Sequence, residues 1–309
     1  MNEHIQQFTP IAGGCFRDTS TMYKTEGGQW CFMEFTPILN PALPPDPETG
    51  ADRLSVDAYG YESTYDIRDW QGANALATAS LLAGGGWRLP SVVEEVSLRD
   101  YDSWAPACRV PGSPLGGFVI TRTRFTASTS NHGAQVLFVS GHFPDSDGST
   151  KGLARGVRFV SVADGSPVTG EHLPSIVSIG GGCFRNASAM YKNQSGQWCF
   201  LECTPVFGPL EAQEEDETFS RDDAFAVVAS SPLSGGGWRA SSIKEEVSLR
   251  TYQPLSGIPG DPDVFLITRS LPRTSGKTWG IGLSDGAAGL TPKNQDRYFV
   301  RGSRLTPSA

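Results

Sequence analysis

GGGWRLPSVVEEVSLR, residues 84–99, returns as GGGWRASSIKEEVSLR at residues 235–250. Three glycines open each stretch, a Trp-Arg pair follows, and Glu-Glu-Val-Ser-Leu-Arg closes it. Ser91 and Glu94 stand at S-x-x-E spacing, as do Ser242 and Glu245. At that spacing the serine accepts from the N3 amide while the glutamate reaches back to the cap amide, which predicts a helix starting after each serine. Such a cap stabilises a helix by about 1 kcal/mol. Pro90 suits the helix entry in the first copy, where the second has Ser241. Val96 and Leu98 supply the buried side of a short helix.

Outward from this motif the whole chain is duplicated. GGCFRDTSTMYKTEGGQWCFMEFTP (13–37) matches GGCFRNASAMYKNQSGQWCFLECTP (181–205), and FVITRTR (118–124) matches FLITRSL (265–271). GVRFVSV (156–162) corresponds loosely to DRYFVRG (296–302). Because the order is kept, the repeating unit is a domain rather than a solenoid element, and 309 residues suit two such domains. The division is residues 1–165, a linker at 166–176, and residues 177–309. The first unit carries a Pro-rich insertion, PALPPDPETG (41–50), that reads as an exposed loop or arm. The second has a shorter, acidic stretch in the corresponding place.

In each unit, SxMYK and GQWCFxE read as a hairpin bounded by glycine. Ala73, Leu76, Ala77, Ser80 and Leu81 fall on one helical face, and Ala224, Val227, Val228 and Ser231 repeat the spacing. Asp69 and Ser220 stand ready to cap those helices. Three antiparallel strands are expected to close each unit, at 118–125, 134–140 and 156–162, then at 265–271, 278–284 and 296–302. Hairpin, two helices and closing strands together predict an α+β class.

This order, with GGxWRLPSxxEE after an Ala-rich helix and a closing VRFV strand, resembles the C-type-lectin-like fold. More narrowly, it resembles the bacterial and phage domains known as the Fibrobacter succinogenes major paralogous domain and the collagen-like-adhesin C-terminal domain. The resemblance covers most of both halves and is better in the first, where WRLPS stands at 87–91 against WRASS at 238–242. It implies two tandem C-type-lectin-like modules, each an N-terminal hairpin, two short helices and antiparallel strands. The framework disulfide of that fold has no counterpart, since 73–83 and 155–162 contain no cysteine. The Glu-Pro-Asn and Gln-Pro-Asp triplets of calcium-dependent sugar sites are also missing.

Composition narrows the function. A net charge of −8 without a Lys/Arg-rich run argues against nucleic acid as a partner. No apolar stretch approaches the roughly 18–20 residues of a membrane span. MNEHIQQFTPI lacks the pattern of a signal peptide, so assembly in a host cytoplasm is expected. Six cysteines, Cys15, Cys31, Cys108, Cys183, Cys199 and Cys203, read as free buried thiols. Cys15/Cys31 and Cys183/Cys199 recur in register and could be cross-strand neighbours. No zinc, other metal or cofactor is expected.

Trp87/Arg88 and Trp238/Arg239 could form a stacking platform for a ligand, but their place at a helix entry favours a core role. With Ser91, Glu94, Ser242 and Glu245 they are assigned as structural. Glu94/Glu95 and Glu245/Glu246 diverge as neighbours on a helix, so they make poor acid–base pairs. The second glutamate of each pair is expected to meet Arg122 or Arg269. His4, His132, His142 and His172 are read as not repeating between the halves. Recognition is assigned to the polar loops 126–133 and 141–152, with Asn131, His132, His142, Asp145 and Asp147 as candidates, because loops on a fixed sheet vary without disturbing the core.

The expected function is that of a non-enzymatic binding or structural protein of a bacteriophage virion, serving in tail or fibre receptor binding or in capsid decoration. Its partners would be other virion proteins or a host-surface receptor, and a homo-oligomer is compatible. The alternatives are a secreted bacterial surface adhesin binding glycan or protein, and an enzyme on a lectin-like fold.

Overall fold

Residues 21–24, TMYK, and 30–38, WCFMEFTPI, form the first hairpin because the glycines between them allow a tight reversal. Thr25 N–H donates to Gln29 O at 3.0 Å and Gly28, at φ 80°, donates to Thr25 O at 2.8 Å. Asn193, Gln197 and Gly196 close the second hairpin in the same way, at 2.9 Å for both bonds. The computed structural model describes residues 4, 6–56, 62–98, 110, 118–123, 133–137, 145–146, 151–170, 172–208, 221–250, 258, 261, 264–270, 277–282, 288–292 and 299–308.

The first half contains β1 (Phe8–Pro10), β2 (Phe16–Asp18), β3 (Thr21–Lys24), β4 (Trp30–Ile38), β5 (Ser55–Val56), β6 (Glu62–Ser63), α1 (Trp70–Ala79), α2 (Val92–Ser97), β7 (Phe118–Ile120), β8 (Gly133–Leu137), β9 (Asp145–Ser146) and β10 (Arg155–Ser161). A short β11 (Pro167–Val168) folds back on β10. The second half contains β12 (Ile176–Gly180), β13 (Cys183–Lys192), β14 (Trp198–Phe207), α3 (Arg221–Ser230), β15 (Arg239–Ala240), α4 (Ile243–Ser248), β16 (Phe265–Ile267), β17 (Lys277–Gly282), β18 (Ala288–Pro292) and β19 (Phe299–Pro307).

The α+β expectation, with two lectin-like modules each built from a hairpin, two short helices and antiparallel strands, is corrected by this architecture. The protein is mostly β, with nineteen strands against four α-helices among the described residues. Fourteen strands form one sheet running through both halves, in the order β1-β2-β4-β3-β13-β14-β19-β16-β17-β18; β10 attaches at β4 and carries β11, β12 attaches at β13 and β15 at β19. One closing strand is also not antiparallel, since β16 runs parallel to β19, with Leu266 beside Phe299.

The halves merge because each hairpin leaves one strand edge with unpaired backbone groups, and the two edges satisfy each other. Strands β3 and β13 pair antiparallel, with Thr21 opposite Tyr191, Met22 opposite Met190 and Tyr23 opposite Ala189. Met22 and Met190 are the methionines of the duplicated Met-Tyr-Lys triplet. An antiparallel pair centred on equivalent residues reads the same from either strand, so a local twofold axis passes between the methionines. The helices obey the same relation: Val92 and Val96 of α2 share a buried cluster with Ile243 and Val247 of α4.

Helix α1 buries Ala73 and Ala77 and is capped by Asp69, whose carboxylate accepts from Gly72 N–H at 2.8 Å. Leu81, expected on its buried face, lies past the helix end and is 85% exposed. Helix α3 buries Ala224 and Val228 and turns Val227 outward.

Candidate functional site

The duplicated glycines hold a backbone path that residues with side chains adopt only under strain. Ala83, Gly84, Gly85 and Gly86 have φ of 47°, 91°, 79° and 78°, and Ser234, Gly235, Gly236 and Gly237 repeat the series at 45°, 89°, 75° and 77°. Gly85 and Gly236 combine this with ψ of −157° and −156°, a region used essentially by glycine alone.

This turn drops the tryptophan into the core. Trp87 Nε1–H donates to Leu82 O and Trp238 Nε1–H to Leu233 O, both at 2.7 Å, and each residue is 3% exposed. Guanidinium groups from the closing strands lie over the rings, Arg158 at 4.3 Å from the Trp87 centroid and Arg304 at 4.1 Å from that of Trp238. Arg158 also donates to Gly85 O and Arg304 to Gly236 O, which ties each glycine turn to the sheet.

Below the tryptophans lies an ionic unit absent from the sequence-derived assignments. Glu34 is buried between Arg17, at 2.6 Å, and Arg158, at 2.7 Å. Glu202 is held by Arg185 at 2.5 Å and Arg304 at 2.8 Å. The signal was present in the duplicated CFR, WCFxE and closing-strand arginines, but only the sheet register places Arg17 and Arg158 opposite Glu34.

Both capping boxes form. Glu94 N–H donates to Ser91 Oγ at 3.2 Å and Ser91 N–H to Glu94 Oε2 at 2.7 Å, and Ser242 and Glu245 reproduce this at 3.3 and 2.7 Å. Arg88 forks onto Glu94 with bonds of 2.8 and 2.7 Å, and Arg239 onto Glu245 with bonds of 3.0 and 2.6 Å. Burial alone would raise these carboxyls. The charge of Arg88, its hydrogen bonds and the charge of Arg122 outweigh burial and bring Glu94 to about 2. Arg239 and Arg269 do the same for Glu245, also to about 2. A carboxylate held so far below neutrality is a weak base, poorly matched to proton transfer near pH 7.

The charges of Arg122 and Arg269 bear on the capping glutamates, and Arg269 approaches Glu245 at 3.8 Å. The second glutamates face the closing strands. Glu95 lies 3.4 Å from Arg155, with both side chains fully buried, and Glu246 lies 3.6 Å from Arg301. Arg301 has a further partner in Asp261 at 2.5 Å.

Asn131, His132, His142 and Asp147 lie outside the described residues. Asp145 is placed in β9, opposite Ala134 of β8. The reading that no histidine repeats is corrected: His4 and His172 occupy the same place in the two units, each in a Glu-His pair eleven residues before the first cysteine of its unit. Their contacts cross between the halves: His4 Nδ1–H donates to Lys192 O and His172 Nδ1–H to Lys24 O, both at 3.1 Å. Cys15, Cys31, Cys183, Cys199 and Cys203 are free and buried. They are not cross-strand pairs, since Cys31 faces Tyr23 and Ser161 while Cys199 faces Tyr191 and Pro307. Burial lifts the Cys31 thiol to about 11 and that of Cys203 to about 12. Among the described residues, no group of three or more His, Cys, Asp or Glu is placed to hold a metal ion, and no helix is long and apolar enough to cross a membrane.

Comparison with protein-family models, with curated proteins and with solved structures finds no match.

Proposed function

We propose that this chain is a non-enzymatic binding and structural protein of a bacteriophage virion, which carries the unequal loops of two repeats on a framework joined by one shared sheet and attaches to a receptor or to neighbouring virion proteins. The observation that carries this reading is where the duplicated chemistry goes. Arg88 and Arg239 are spent on the capping glutamates, Arg158 and Arg304 on tryptophan rings and buried glutamates, and Glu95 and Glu246 on buried arginines. What the copies share is framework, and what they do not share is the material for recognition: the Pro-rich insertion at 41–50, the acidic stretch before α3 and the loops at 126–133 and 141–152. The resemblance of most of both halves to bacterial and phage domains of the Fibrobacter succinogenes major paralogous and collagen-like-adhesin C-terminal kinds supports the same class.

The test is proteomic. Phage particles purified from the organism that encodes the chain, by density gradient, are expected to contain it in a fixed ratio to the major capsid or tail protein. Its absence from particles, together with its presence on the surface of particle-free cells, would refute the reading in favour of a cellular adhesin.

A further inference from the structure

One duplicated surface is not absorbed by the framework. Residues alternate between the two faces of a strand. Tyr23, Cys31, Met33 and Phe35 point into one buried cluster, and Cys199, Leu201 and Leu305 into its counterpart. Their chain neighbours Met22, Trp30 and Phe32, with Met190, Trp198 and Phe200, therefore lie on the opposite face, and these residue types are identical in the two copies. An antiparallel sheet that leaves one face to water normally carries polar side chains there. Here four half-buried aromatic residues surround the Met22–Met190 pair. Phe32 of β4 and Trp198 of β14 approach across the seam, with ring centroids 6.4 Å apart.

The cations of this face stand beside the rings. Lys24 Nζ lies 5.9 Å from the Trp30 centroid and Lys192 Nζ 4.9 Å from that of Trp198, while Arg185 stands 5.3 Å from the Phe200 ring. Arg17, Arg158, Arg185 and Arg304 are held by Glu34 and Glu202. Among the described residues, neither lysine has a carboxylate partner; Lys192 Nζ donates to Thr19 O at 3.2 Å. Six cations against two carboxylates make the face positive on a chain of net charge −8. It stays positive when Glu26 and Asp164, exposed in the adjoining turns, are counted.

We propose that this face binds a carboxylate-bearing glycan, with sugar rings stacked on Trp30, Phe32, Trp198 and Phe200 and the carboxylates paired with Lys24 and Lys192.

The chemistry selects this class. The C–H face of a sugar ring packs on the electron-rich face of an aromatic ring, and an ammonium beside that ring meets an anion on the same sugar. A nucleic acid needs a run of free cations to neutralise successive phosphates, and the four arginines of this face are already engaged. A peptide strand needs unpaired backbone groups, whereas β3, β4, β13 and β14 are paired on both sides. A second copy would bring two positive faces together. The face is built from strand residues rather than from the unequal loops, so the inference holds for a virion protein and a cellular adhesin alike.

The test is an array of uronate- and sialate-bearing oligosaccharides beside neutral ones, probed with the full chain, followed by calorimetry on the tightest binder. Binding is expected to be confined to the acidic sugars and to weaken as sodium chloride rises. In Lys24→Gln, Lys192→Gln, affinity is expected to fall about two- to fivefold for each lysine. In Trp30→Leu, Trp198→Leu it is expected to fall about tenfold or more. Neither lysine makes a buried ion pair, so the first variant reads the site should the second not fold. Four results would each overturn the proposal: no acidic sugar bound, neutral sugars bound as tightly, a single-stranded oligothymidylate bound as tightly, or affinity unchanged in the lysine variant. The chain is assayed alone, so these outcomes are independent of whether it is found in phage particles.

Discussion

Replacing Glu95 by leucine isolates the cost of one buried charge. Glu95 and Arg155 are both fully buried and face each other at 3.4 Å. Arg155 also donates through Nη1 to Thr36 O at 2.8 Å, so it stays anchored when the carboxylate is removed. Breaking a buried ion pair by removing one partner costs about 3–5 kcal/mol, far more than the net worth of the pair, because that partner no longer offsets the desolvation of the remaining ion. The double variant Glu95→Leu, Arg155→Met removes both ions. It leaves Thr36 O without that donor, a loss of about 1 kcal/mol, and removes one acid from the first turn of α2, worth about 0.5 kcal/mol. Urea unfolding followed by tryptophan fluorescence should therefore show the double variant more stable than the single by about 2 kcal/mol or more. The duplicate site gives an internal comparison. Glu246→Leu leaves Arg301 with Asp261 at 2.5 Å, so its loss should fall below the ~3–5 kcal/mol of a fully broken buried pair. A double variant no more stable than Glu95→Leu would refute the argument, by showing that side-chain volume rather than the broken ion pair sets the cost.

Two further outcomes are expected. Glu94 and Glu245 sit at about 2 against an ordinary 4.5, so each contributes stability on the order of 3 kcal/mol that is present above about pH 4.5 and lost as pH falls towards 2; the fall in urea midpoint over that window should shrink in Glu94→Gln, Glu245→Gln, and an unchanged fall would count against the Arg–Glu forks. Gly85→Ala, at φ 79° and ψ −157°, should cost about 1–3 kcal/mol, while Gly50→Ala, at φ 68° in an exposed turn with nothing within 4 Å, should cost about 1–2 kcal/mol; a thermal melt in which Gly85→Ala is the milder of the two would contradict the conformational reason given for the triple glycine.

Local features were the most legible in the residues. The capping boxes at Ser91 and Ser242, the Asp69 cap, the paired hairpins and the core place of Trp87 and Trp238 depend on groups only a few positions apart, so spacing and residue type suffice to foresee them. Leu81 and Val227, expected on buried helix faces and found exposed, are local exceptions; the other differences are long-range. The repeated histidines could have been aligned from the sequence, yet nothing in Glu-His says that the ring will dock on the opposite half. Glu34 and Glu202 were passed over because each meets its arginines only through strand register.

What the sequence by itself determined is the duplicated unit, its caps and turns and its buried thiols. Only the tertiary structure decided that β3 and β13 join the two units into one sheet around Met22 and Met190, making the protein mostly β rather than two separate α+β modules. A strand edge presents the same backbone N–H and C=O groups whatever its side chains, so the choice of pairing partner is not written along one strand; it is fixed when the edges, the His4 and His172 contacts and the α2–α4 contact are satisfied together.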